Sequence, residues 1–422
     1  MIQYDLVGTI KPIQSKGDFN SYAVQTFASG WQSTKLLYNV FSGDNRYMMT
    51  IQGGRYPNDN YTIKTLSQAT AENGKRDILE IPWKDRMNQD VIDKVANFRK
   101  FTVDMNYYGV REKLHQFATR IHEGTPITDE ELKSVGLTDE SQVADAVKRA
   151  DMMYKQFISE LDLAEFMHKL LEKGFCEGKK FHITGVIEKQ WSDRNQRWYS
   201  SMKPQRIYLA ADDAEEYCKA NTVLYFSEGA VDDSSIEDKG KYYVKAYTLE
   251  YDSTRKKNIF ADFQLVIPTN MPTKTGTHDV HDGERAAKIA QKFMVDGDAV
   301  YEYGVEFELI DGAQKTEITE DMLSDSQRED LELGIITMDE IRAEMGNTVY
   351  GERVTENRYC GVYKGYTRGS KETSYTKDQF AIPAIEDDEL PFGTDDDDDD
   401  ETTKPAASSS ALSDSDLDDL FN

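Results

Sequence analysis

The sequence predicts an α+β protein with two small β-barrels separated by a helical connector, then a mixed C-terminal module and a disordered acidic tail. Three observations carry that expectation. Residues 1–110 and 178–270 alternate apolar and polar side chains in short runs, the period of half-buried strands. Residues 111–177 change to the helical period, as a connector or an insertion. From Glu386 to the end, residues 386–422, hydrophobicity is too low to offset the entropy of ordering the chain.

Composition fits several cores. The chain has 422 residues, more than a single core commonly supports, and 11% of them are aromatic: 24 Tyr, 18 Phe and 4 Trp. Cys176, Cys218 and Cys360 are widely separated and form no CxxC pair, so neither a disulfide framework nor a sequence-local zinc site is indicated. A reducing cytoplasm suits them. The start, MIQYDLVGTIKPIQ, lacks a basic segment followed by an apolar one, and no run approaches the ~18 apolar residues of a spanning helix. Secretion and membrane insertion are not expected.

In chain order, YDLVGTIKPI begins a strand, and KLLYNVFSGDNRYMMTIQGGRY is a hairpin turning at Gly43-Asp44-Asn45. NYTIKTL and FRKFTVDM add short strands. Helical periodicity over 143–175 sets Met153, Phe157, Leu161, Ala164 and Leu171 on one face, with Gly174 as a stop. Strands return at KKFHITGVIEKQW, with a polar turn at Ser192 to Gln196, and continue through TVLYFSE, KYYVKAYTLEYD and KNIFADFQLVIP. Val7-Gly8-Thr9-Ile10-Lys11 resembles Thr184-Gly185-Val186-Ile187-Glu188, each a strand with an early glycine that would let it coil tightly. Both regions have the length and strand rhythm of an oligonucleotide-binding (OB) barrel. A linker over 269–283 precedes the mixed module, 284–385, which reads as a helix, a hairpin turning at Asp311-Gly312, two acidic helices and a last strand, RYCGVYKGY.

Catalytic signatures are absent from the sequence. There is no GxxxxGK[ST], GxSxG, HExxH or GxGxxG. His278 and His281 sit in the linker, and Asp212-Asp213 and Asp232-Asp233 read as solvated loop charge. No enzyme, metal site or cofactor is expected.

Net charge is −27, which opposes nucleic-acid binding, but it is unevenly spread. Residues 386–422 hold 15 acidic residues against the single Lys404, while residues 1–110 are near neutral at +2 and residues 178–270 are neutral. The strands of these neutral stretches interleave aromatic and basic residues. Nonspecific single-strand binding needs that mixture, flat faces on which bases stack and cations along the backbone. The first region offers Trp31, Lys35, Tyr38, Arg46, Tyr47, Arg55 and Tyr56. The second offers Lys189, Trp191, Arg194, Arg197, Trp198, Tyr199, Lys203, Arg206 and Tyr208, then Tyr243, Lys245, Tyr247, Tyr251, Arg255, Lys256 and Lys257. Since one face of each strand must be buried, ordinary core packing competes for every aromatic among them.

The tail carries two acidic stretches with apolar ends, DDELPF (Asp387, Asp388, Leu390, Pro391, Phe392) and SDLDDLFN (Leu417, Asp418, Asp419, Leu420, Phe421). A solubility tail has no need of such anchors. DDELPF resembles the Asp-Asp-x-Ile-Pro-Phe ending of bacterial single-stranded-DNA-binding proteins. The long body, GKKFHITGVIEKQW and PQRIYLA are more similar to the large versions encoded by bacteriophages. There are departures: Phe392 is internal and Phe421 is followed by Asn422, whereas the bacterial motif ends on a free phenylalanine carboxylate. The resemblance implies OB-fold modules, sequence-independent binding of single-stranded DNA in phage replication, recombination and repair, and a tail that recruits partner enzymes. Two other readings of the residues are an acidic interaction protein that mimics nucleic acid and a metal-dependent nuclease on the same barrels.

Overall fold

The computed structural model describes residues 1–14, 19–58, 60–70, 74–269, 282–317, 323–338, 340–341, 348–366 and 369–384. The tail residues Asp387 to Phe392 and Leu417 to Phe421 lie outside the described residues, as do His278 and His281 of the linker.

Through the first half of the chain run β1 (Ile2–Pro12), β2 (Tyr22–Thr26), β3 (Gln32–Ser42), β4 (Asn45–Arg55), β5 (Thr62–Thr70), β6 (Arg76–Pro82), β7 (Phe101–Tyr107), β8 (Tyr154–Phe157), β9 (Lys180–Ser192) and β10 (Arg197–Leu209). β1 pairs antiparallel with β3 and β9, β3 with β4, and β9 with β10. β4 and β10 then meet in parallel at Met49 and Met202, closing a five-stranded barrel.

A second closure follows. Its members come from β11 (Tyr217–Phe226), β12 (Val231–Asp232), β13 (Lys241–Asp252), β14 (Lys257–Pro268), β15 (Ala299–Glu317), β16 (Thr348–Val362) and β17 (Lys371–Thr376). β11 pairs antiparallel with β13 and β15, β13 with β14, and β15 with β16, while β14 and β16 meet in parallel at Val266 and Arg358. In each barrel the third and fifth strands are the parallel pair, and a helix sits between the third and fourth, Glu160–Glu172 in one and Asp282–Ala290 in the other. That connectivity is OB-like. β1 also pairs with β11, Gln3–Val7 against Tyr217–Asn221, so one sheet runs through both barrels.

Membership differs from the sequence expectation. Residues 178–270 are not one module: β9 and β10 complete the first barrel, and β11, β13 and β14 open the second. The 284–385 segment supplies β15 and β16 to the second barrel instead of forming a module of its own. Of the two readings of residues 111–177, connector or insertion, the chain takes the second: they lie within the first barrel, between its third and fourth strands. Gly185 accordingly lies in a fourth strand, not a first. Strand rhythm is local, whereas partnership is decided by packing between segments far apart in sequence.

Smaller differences have local causes. The helical face expected over 143–175 is broken: Val143–Met152 is one helix, Tyr154–Phe157 is β8 paired with β7, and a new helix starts after Ser159, whose Oγ accepts the Leu161 N–H at 3.2 Å. Asp311-Gly312 is not a turn. It lies inside β15, opposite Thr355 and Val354 of β16.

A single apolar cluster extends through both barrels, with Leu6, Tyr38, Met49, Ile183, Phe226 and Phe307 wholly buried in it. Gly8 marks the bend that makes this possible. β1 leaves β11 after Val7 and takes up β3 at Thr9, and a Cβ on Gly8 would lie 2.3 Å from the Phe41 carbonyl oxygen. Only glycine permits that backbone approach. Among the described residues, no helix is long and apolar enough to cross a membrane.

Candidate nucleic-acid interface

The first barrel bears an open groove of about 640 Å³ on the outer face of β3 and β4. Strand alternation selects its residues. β3 turns Leu36, Tyr38 and Val40 into the core and leaves Ser33, Lys35 and Leu37 outward; β4 buries Tyr47, Met49 and Ile51 and presents Met48, Thr50 and Gln52. Gln190 of β9 and Tyr199, Ser200, Ser201 and Lys203 of β10 form the opposite wall. The barrel's strand order therefore brings residues some 150 positions apart to one face.

Trp31 lines one end, and a chain of aromatic contacts runs from it to Tyr56, Tyr61 and Trp83 outside the lining. Trp31 lies so close over Gly54 that a Cβ there would come within 2.7 Å of its ring. Its edge meets Tyr56 at 5.0 Å and Tyr61 at 6.3 Å, and Tyr61 meets Trp83 at 5.8 Å. Arg55 lies 4.9 Å and Arg86 3.9 Å from the Trp83 centroid, with Arg86 also paired to Asp162 at 2.9 Å. Arg86 is thereby neutralised, and Arg55 is left as the cation over the Trp83 face.

The floor is mixed. Lys203 Nζ lies 2.7 Å from Glu188 and 3.9 Å from Glu160, and burial pushes the Glu160 carboxyl above its ordinary range. Lys35 is exposed. Two lysines, several hydroxyls and amides, and the faces of Trp31 and Tyr199 can bind phosphate, base edges and base faces respectively.

At the far end stands the β9–β10 turn. Trp191 and Trp198 are 5.4 Å apart, Arg194 and Arg197 are exposed, and Arg197 lies 4.4 Å over the Tyr199 ring. Asn195 donates to the Tyr199 hydroxyl at 2.8 Å, fixing that ring at the groove's rim. Lys189 reaches across to donate to the Asp262 carbonyl and sits 4.9 Å over Phe263; burial pushes its ammonium down to about 8.

The corresponding face of the second barrel is covered. Tyr243, Lys245, Tyr247 and Tyr251 alternate outward along β13 as expected. However, Phe380 stacks on Tyr247 with centroids 3.9 Å apart at 16°, and Tyr375 meets both Tyr225 and Phe260 edge-on. The segment from β17 to Ala384 thus lies over this face. Lys245, Tyr251, Lys256 and Lys257 stay exposed.

Three of the residues predicted to bind are structural. Tyr38 and Tyr47 are 0% and 2% exposed in the core, and Tyr47 donates to the Leu309 carbonyl of the other barrel at 2.5 Å. Arg255 is 3% exposed and engages Asp193 and Asp252. Arg46 and Arg206 are exposed but do not line the groove. The neutral polar lining was missed in the sequence, as was the aromatic chain through Tyr61 and Trp83 that continues beyond the groove from Trp31. Parity was available as a signal, since Lys35 and Tyr38 lie three apart and cannot share a strand face.

No family model matches the chain, and no curated protein matches it. Among solved structures it is similar to the single-stranded DNA binding protein from Thermus aquaticus. A deletion mutant of that protein aligns at 9% identity and TM-score 0.27, over 74% of this chain and 87% of that one. The wild type aligns at 8% and 0.26, over 74% and 85%. A likeness of that size carries no functional argument. The side chains of the groove do.

Proposed function

We propose that this protein binds single-stranded DNA without sequence preference, seating the strand in the groove on β3 and β4 of the first barrel. The observation that supports this most directly is the groove's composition: Trp31 and Tyr199 offer stacking faces at its rim, Lys35 and Lys203 offer cations, and the strands between them expose hydroxyls and amides. The role is non-catalytic, coating exposed strands during the replication, recombination and repair of a bacteriophage genome in the host cytoplasm. The acidic tail, with DDELPF and SDLDDLFN as two short anchors on one tether, recruits the enzymes that act on the coated strand.

Titration of the full chain with oligo-dT at stated salt, followed by intrinsic tryptophan fluorescence, tests the reading. Saturable quenching that weakens as salt rises is the expected result, because phosphate contacts release counterions. A signal that stays constant at low salt would overturn it and favour an acidic interaction protein instead.

A further inference from the structure

The β9–β10 turn of the first barrel and the β13–β14 turn of the second come together over a recess of about 200 Å³, separate from the groove. Gln190 lines both, so the recess and the groove's end are neighbours across that residue. Three aromatic side chains stand in its otherwise mostly polar walls. Trp191 and Trp198 stand with their planes at 61°, and Tyr251, 64% exposed, faces the same space from the second barrel.

The recess is built in advance of any ligand. Trp191 Nε1 donates to Asp193 at 3.0 Å, and Asp193 is gripped by the buried Arg255 at 2.5 and 3.2 Å. Arg255 also holds Asp252 at 3.2 Å and donates to the Pro383 carbonyl at 2.7 Å. One cation thus ties both turns to each other and fixes the tryptophan. Glu250 is 6% exposed, and its buried Oε1 is ion-paired with the N-terminal ammonium 3.6 Å away. Lys189 lines the recess beside it, with its ammonium donating to the Asp262 carbonyl.

Three aromatic side chains set among polar ones, Gln190, Ser253 and Thr254, suit a nucleobase, which has two π faces and a hydrogen-bonding edge. We infer that this recess takes a base of the strand lying in the groove, so that the strand crosses from the first barrel to the second at Gln190. The inference rests on the single-strand reading above and adds to it a base site formed by both barrels.

The test compares the full chain with Tyr251→Ala, a change at an exposed side chain, using oligo-dT of ~5 and ~16 nucleotides, lengths spanning the site sizes of such barrels. The variant should bind the longer oligomer on the order of tenfold more weakly, the loss of one stacked base, and the shorter one as before. Photocross-links from 5-iododeoxyuridine in the longer oligomer should map to Tyr251 or Trp198. Equal affinities, with cross-links confined to Trp31 and Tyr199, would overturn the recess and leave the single-strand reading standing. No binding of either oligomer by the unaltered protein would overturn both. Binding of a mononucleotide that depends on Tyr251, without any length effect, would make the recess a free-nucleotide site and overturn the strand path.

Discussion

Tyr38 and Tyr47 look alike in the sequence, both beside a basic residue and both candidates for stacking, and the structure gives them the same fate by different means. Tyr38 is buried with a hydroxyl that has no hydrogen-bond partner. Burial raises its pKa, as expected of a phenol that cannot ionise in an apolar interior. Tyr47, also buried, spends its hydroxyl on Leu309 of the other barrel. An unpartnered buried hydroxyl costs stability, whereas a satisfied one contributes about 1 kcal/mol. Tyr38→Phe should therefore be neutral or stabilising, and Tyr47→Phe should cost about 1 kcal/mol in urea unfolding. Neither should alter oligo-dT affinity; a loss of binding in either would return that tyrosine to the interface. At this scale the sequence was legible in residue type and ambiguous in direction. Alternation says that neighbours point oppositely, but not which parity faces solvent, and a slip of one residue exchanges the sets. Arg255 shows the same limit, because a basic residue in a polar turn reads as exposed until Asp193, from a distant hairpin, is seen to enclose it.

Among the elements, those set by adjacent residues were legible and those set by distant ones were not. The β3–β4 hairpin follows from its turn, where Gly43 adopts φ +56°, and from alternation on either side. By contrast, β9 belongs with β1 and β14 with β16 because closing each barrel buries one shared core, and nothing in the strands' own sequences names those partners. The segment covering the second barrel is another such case. Its β17 pairs with β15, and Phe380 then lies flat on Tyr247 with its edge toward Phe260. Read alone, SYTKDQFAIP has no period that would place it on a sheet. Since aromatic pairs contribute beyond their buried area, Phe380→Ala should cost about 2 kcal/mol and release the segment from Tyr247. Limited proteolysis after residue 370 reads the release directly. Unchanged stability and an unchanged cleavage pattern would show that β17 alone holds the segment.

Over the whole molecule, the charge that seemed to argue against nucleic acid is placed where it can regulate binding. Residues 386–422 carry −14 of the total −27, leaving a body with the groove, the recess and their lysines. Pro383, held by Arg255, fixes the last described stretch of chain beside the recess, so the tail departs from the edge of the proposed binding surface. On the proposed reading, an acidic chain tethered there would compete with phosphate for the same cations at high effective concentration. Deleting residues 386–422 should tighten oligo-dT binding at low salt, where the screening length is ~30 Å, and the advantage should shrink toward physiological salt, where it is ~8 Å. The same deletion should abolish recruitment of partner enzymes, while removal of DDELPF or of SDLDDLFN alone should show which anchor they read. Affinity unchanged at low salt by the full deletion would exclude competition and leave the tail recruitment alone.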